Sequence, residues 1–201
     1  MKIKLCGLSR ACDIDWANEL NPDYIGFVFW PKSKRLVDYE TAAVLKARLK
    51  PNIKAVGVFV DESIDAVLKL LEDGIIDVAQ LHGSETEEYI NEIKTRSGKP
   101  VFKAFKVKCI DDIAKANCSS ADYVLLDAGM GDGKTFDWSL LMEMKREYFL
   151  AGGLNTDNIK DAIETLKPFG VDVSSGIETN GVKDKDKMLS FVQIVRKEEL
   201  V

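Results

Sequence analysis

A thiol ends the run KIKLC at Cys6, and a carboxyl ends the run YVLL at Asp127. Groups of these two types at the ends of strand-like segments are suited to proton transfer, because partial burial tunes each toward a useful pKa. Each also has a plainer reading: Cys6 as a small core hydrophobe, Asp127 as an N-cap or loop acceptor. Lys2, Lys4 and Cys6 share strand parity, so a Cys6 that faces an interior brings Lys4 with it. A cation beneath the thiol is expected to lower its pKa, while desolvation of Asp127 is expected to raise that carboxyl toward neutrality.

The residues behind Asp127 invite a different chemistry. DAGMGDGKTFDW, residues 127–138, places glycines before a Lys-Thr pair, as a phosphate-cradling loop does. The GxxxxGK[ST] spacing would need glycine at position 128, where Ala128 stands. Gly129 is one residue too close, so a nucleotide triphosphatase is not expected.

Two later stretches are better placed for an anion. FLAGGLN carries Gly152 and Gly153, and VDVSSGIE carries Asp172, Ser174, Ser175 and Gly176. Small residues in consecutive turns let backbone N–H groups approach a phosphate, although glycines at positive φ in two tight turns would look the same. Arg35, in PKSKR, offers a planar fork for a carboxylate. His82 is the only histidine and reads by default as a hydrogen-bonding residue.

Composition limits what such a site can serve. The chain has 201 residues, 46% of them hydrophobic, and a net charge of −5. That is enough for one well-buried domain, residues 1–201, and the acidic balance argues against a nucleic-acid partner. The start MKIKLCGLSR has no signal-peptide pattern, and no apolar stretch approaches a membrane span. Cys6, Cys12, Cys109 and Cys118 form no CxxC pair, which fits reduced thiols in the cytoplasm, with Cys12 and Cys118 expected to pack on or beside helices.

The elements that must position these groups alternate along the whole chain. KIKLC, YIGFVF, KAVGVFV, VAQLH, VFKAFKV, YVLLD, YFLAG and VDVSS read as eight strands, ending at Cys6, Phe29, Val60, His82, Lys106, Asp127, Gly152 and Ser174. Helical spacing fills 41–50, 63–74, 86–96 and 158–167, a helix opens near Arg10, and a last one covers about 183–200. A unit every 25 residues or so predicts a minimal (β/α)8 TIM barrel, and no glycine fingerprint after the first strand supports a doubly wound sheet. In such a barrel the active face is the C-terminal end of the strands, with a common phosphate site after strands seven and eight. The singled-out residues all lie there.

In that order, KLCGLSR, GFVFWPKSKR, VGVFV, QLHGSE, KAF, LLDAGMGDGKTFDW, LAGGLN and VDVSSGIETNGVKDKDKM resemble the phosphoribosylanthranilate isomerases of tryptophan biosynthesis. In that family the loop often reads GGTGKTFDW, where this chain has GMGDGKTFDW. The resemblance covers the chain from its first residues to its last helix. It implies a barrel of the ribulose-phosphate-binding type and an Amadori rearrangement of N-(5-phosphoribosyl)anthranilate without cofactor or metal. It further implies Asp127 as general acid and Cys6 as general base. Arg35 would hold the anthranilate carboxylate, Asp172 and His82 would contact the rest of the substrate, and Gly152, Gly153, Ser174, Ser175 and Gly176 would bind phosphate. The implied partner is a small phosphosugar, with the protein a monomer or homodimer. A related phosphosugar barrel with lysines and a glutamate or two aspartates at its mouth is disfavoured by Cys6, and a non-catalytic phospholigand-binding barrel is distinguished by turnover.

Overall fold

The computed structural model describes residues 1–127 and 138–198. The glycine-rich stretch 128–137, with Ala128, Gly129 and Lys134 of the rejected nucleotide loop, lies outside the described residues, as do residues 199–201.

Eight parallel strands form a closed barrel in sequence order: β1 (Lys2–Cys6), β2 (Tyr24–Val28), β3 (Lys54–Phe59), β4 (Val78–Leu81), β5 (Val101–Lys106), β6 (Tyr123–Asp127), β7 (Tyr148–Ala151) and β8 (Gly170–Val173). β8 closes onto β1 with Lys4 opposite Asp172. The expected strand ends at Cys6, Lys106 and Asp127 coincide with the observed ones, and the other five fall one residue late.

Between the strands run α1 (Ala11–Leu20), α2 (Tyr39–Arg48), α3 (Ile64–Glu72), α4 (Glu87–Ser97), α5 (Ile110–Cys118), α6 (Ile159–Leu166) and α7 (Lys185–Glu198). Caps set their starts. Asp38 accepts from the Thr41 N–H at 2.7 Å, so α2 opens two residues before the expected position. Ser63 and Thr86 cap α3 and α4 in the same way, and Gly98 at φ 63° closes α4.

Three features differ from the expected pattern. α5 occupies a segment for which no helical spacing is read above, although the eight βα units call for a helix there. The sixth unit has a 3₁₀ helix, Trp138–Glu143, in place of an α-helix among the described residues. After β8 a short hairpin, β9 (Glu178–Thr179) with β10 (Val182–Lys183), precedes α7. Cys12 and Cys118 are also not core residues: Cys12 is half-buried and Cys118 exposed, because both lie off the apolar stripes of α1 and α5.

Alternation sorts the strand residues into two cores. Val56, Val78, Phe102, Leu125 and Phe149 fill the barrel interior with Tyr24, Tyr123 and Phe169 closing its lower end. Leu5, Phe27, Ala55, Leu81, Val124 and Leu126 face outward into the larger core under the helices. Moving up each strand by two residues from the interior layer leads to the mouth.

Candidate active site

On β1 that climb passes from Lys4 to Cys6, as parity predicts. Lys4 is completely buried, and its Nζ donates to Asp172 Oδ1 at 2.8 Å. Burial by itself would pull the Lys4 ammonium down, but the charges of Asp172 and Cys6 outweigh it and hold Lys4 above the ordinary lysine value. For Cys6 the balance runs the other way. Burial pushes its thiol above the ordinary value, with Lys4 opposing and Asp172 adding to the rise. The expected depression is therefore corrected: the cation is present, but it is already paired to Asp172, and burial of the thiol outweighs it. Room for the sulfur comes from Gly26, its register partner on β2, where an added Cβ would stand 2.7 Å from Sγ.

Cys6 opens into a cavity of about 470 Å³ at the C-terminal mouth of the barrel. Arg35, His82, Asp127, Gly152, Gly153, Asp172, Ser174 and Ser175 line the same cavity. Gly176 does not, but it braces the wall: a Cβ there would meet the Leu154 carbonyl oxygen at 1.9 Å, so only glycine lets the turn after β8 lie against the turn after β7. Gly152 and Gly153 have φ of 91° and 67°. A larger groove, about 550 Å³, lies at the opposite end of the barrel beside Met1 and Phe169, away from every one of these groups.

Asp127 ends β6, three strands from Cys6 around the barrel, and is 3.6 Å from His82, measured Oδ2 to Nε2. His82 in turn takes Gln80 Nε2 at 3.2 Å on its Nδ1. The Asp127 carboxyl and the Cys6 thiol thus stand on separate walls of one cavity.

Arg35 grips a carboxylate of the protein itself. Its side chain crosses over Gly7, where an added Cβ would meet Cδ at 2.3 Å, and its Nε and one terminal nitrogen hold Glu178 at 2.6 and 2.8 Å. The fork that Arg35 offers a carboxylate is engaged beyond β8, because Glu178 on β9 supplies a buried carboxylate within reach. Burial would raise the Glu178 pKa, but hydrogen bonds from Arg35 and from buried Lys183 hold it below the usual range. Three donors of the guanidinium remain for a ligand.

A sequence model of the N-(5′-phosphoribosyl)anthranilate isomerases matches residues 3–194. The chain belongs to this family. The isomerase of Endomicrobium trichonymphae is 48% identical over 200 residues, which span 97% of this chain and 98% of that one. A phosphoribosylanthranilate isomerase solved with reduced 1-(o-carboxyphenylamino)-1-deoxyribulose 5-phosphate superposes with a TM-score of 0.87 at 35% identity, covering 98% of this chain and 99% of the other. The Thermotoga maritima isomerase superposes at 0.89 with 36% identity and the same coverage.

Within the family's barrel, sequence reasoning left out four residues that shape the mouth. Glu178 and Lys183 anchor Arg35, and Lys183 Nζ also donates to the Ser174 carbonyl at 2.9 Å. Ser174 spends its hydroxyl proton on the Cys6 carbonyl at 3.1 Å. Gln80 is 1% exposed and stands beside His82. Lys106 lies opposite Asp127 in register on the inward-facing side of β5. Parity could have found Gln80 and Lys106, since both share a strand face with interior residues; the hairpin carrying Glu178 and Lys183 left no such trace.

Proposed function

We propose that the chain isomerises N-(5′-phosphoribosyl)anthranilate to 1-(2-carboxyphenylamino)-1-deoxyribulose 5-phosphate, as the names of its relatives describe for them. The observation that carries the reading is a thiol and a carboxyl on separate walls of one cavity, with the small-residue turns after β7 and β8 forming a third wall. Asp127 gives its proton to the furanose ring oxygen as the C1′–O bond breaks and the anilinic nitrogen forms a Schiff base. Cys6, as thiolate, removes the C2′ proton to give an enolamine, which tautomerises to the ketone. These steps leave Asp127 ionised and Cys6 protonated at unchanged net charge, and a proton returned from Cys6 to Asp127 through solvent restores both groups for the next turnover. The raised pKa of Cys6 makes the thiolate scarcer but a stronger base for a carbon acid.

Gly152, Gly153, Ser174, Ser175 and Gly176 hold the phosphate in this scheme, through turns whose small residues allow a close backbone approach. Arg35 meets the anthranilate carboxylate with the donors left over from Glu178, Asp172 and His82 contact the sugar and the bridging amine, and no cofactor or metal enters the chemistry. In this reading residues 1–201 form a single domain. A dimeric isomerase is known from Thermotoga maritima, and here a monomer or a homodimer would carry the same set. The four unpaired cysteines agree with a cytoplasmic protein, and no helix among the described residues is long and apolar enough to cross a membrane.

Complementation of a tryptophan auxotroph lacking this isomerase tests reaction and substrate together. Growth supports the reading; absence of growth, with purified protein that leaves the fluorescence of the anthranilate substrate unchanged, overturns it.

A further inference from the structure

Gln80 sits on β4 between Val78 of the interior layer and His82 at the rim, and its carbonyl oxygen is orphaned. Among the described residues Oε1 has no hydrogen-bond partner, and it is closed off from solvent. A buried acceptor left unmade costs about 1–3 kcal/mol, so its retention calls for a reason. Closure of Oε1 also rules out a direct contact with substrate in this arrangement. The other end of the amide supplies the reason, because Nε2 meets His82 Nδ1 at 3.2 Å.

An imidazole that accepts on Nδ1 carries its proton on Nε2 when neutral. That nitrogen is the one 3.6 Å from Asp127 Oδ2. The ring then presents an N–H to the carboxyl. Turning the amide over would satisfy Oε1 only against the opposite tautomer, whose Nε2 lone pair would compete for the Asp127 proton and repel the carboxylate left after it has gone. The orphaned carbonyl is the consequence of keeping the donor end at His82.

We infer that Gln80 is a positioning residue that locks His82 in the Nε2–H tautomer, so that the imidazole supports Asp127 as a donor and does not draw off its proton. The catalytic consequence rests on Asp127 being the acid of the proposed isomerisation; the tautomer lock does not.

His82 is the only histidine, so histidine labelled with ¹⁵N yields a single imidazole in long-range proton–nitrogen NMR. In the wild-type protein the neutral form of the ring should show a protonated Nε2 and a hydrogen-bonded, unprotonated Nδ1. Gln80→Leu, which removes donor and orphan together at similar volume, should give a mixture of tautomers and lower kcat about tenfold or more, with KM changed less than about threefold. Should the leucine variant fail to fold, Gln80→Met takes its place. A wild-type proton on Nδ1, an unchanged tautomer in the variant, or a near-normal kcat beside a changed tautomer each overturns the inference. Asp127→Asn separates the two claims. If it retains turnover while the tautomer still answers to Gln80, the acid assignment fails and the lock stands; if it loses turnover while the tautomer ignores Gln80, the lock alone fails.

Discussion

Lys4 Nζ and Asp172 Oδ1 are 2.8 Å apart at side-chain exposures of 0% and 9%, joining residues 168 positions apart in sequence immediately below the Cys6 thiol. This pair closes the barrel between β1 and β8. It also decides how much positive charge is left for Cys6.

Lys4→Met should destabilise the fold by about 3–5 kcal/mol, since it leaves the Asp172 carboxylate buried without its partner. Urea unfolding reads the loss, and Lys4→Met with Asp172→Leu should recover most of it. The folded Lys4 pKa lies above its unfolded value. Its contribution is therefore complete below the ordinary lysine range and lost as pH rises through the folded value. Constant stability of the single variant would show that the pair is not structural.

The Cys6 thiol should titrate above an ordinary cysteine, because burial outweighs Lys4. Replacing Cys12, Cys109 and Cys118 by serine isolates it, and thiolate absorbance against pH locates its midpoint. The unliganded enzyme should accordingly gain kcat/KM on the alkaline side. A midpoint below the ordinary thiol value would restore the depressed thiol that strand parity predicts.

Cys6→Ala and Asp127→Asn should each remove most turnover while leaving substrate affinity within about an order of magnitude, as expected of groups that move protons and contribute little to binding. Steady-state kinetics with inhibitor binding as the affinity measure provide the check. A near-normal kcat in either variant would withdraw that residue's role.

Arg35→Ala should raise KM by an amount on the order of 1.5–3 kcal/mol if the lost contact is charge-assisted. Ser175→Leu should instead weaken inhibition by inorganic phosphate most. Arg35 reaches Glu178 beyond β8, close to the turn carrying Ser174 and Ser175, so the comparison is decisive: equal loss of phosphate inhibition in both variants would move Arg35 to the phosphate end.

Local pattern determined the barrel. Alternating β-branched runs and helical spacing located all eight strands to within a residue at their ends, and parity alone placed Lys4 beneath Cys6, because these signals depend on neighbours two to four positions away. The gathering of Cys6, Asp127 and the glycine and serine turns at one mouth followed from the same count, since a barrel brings its strand ends together. Tertiary structure decided what depends on distant partners and on burial. Arg35 meets Glu178 across 143 residues, and no spacing rule connects them. The direction of the Cys6 pKa turned on burial of the thiol and on Lys4 being paired to Asp172, both properties of the closed barrel. The start of α2 moved with the Asp38 cap, and the sixth unit's 3₁₀ helix and the β9–β10 hairpin came from packing that local periodicity does not record. The Gln80–His82 contact lay between these limits: parity put both side chains on one face, and only the folded site showed which end of the amide is satisfied.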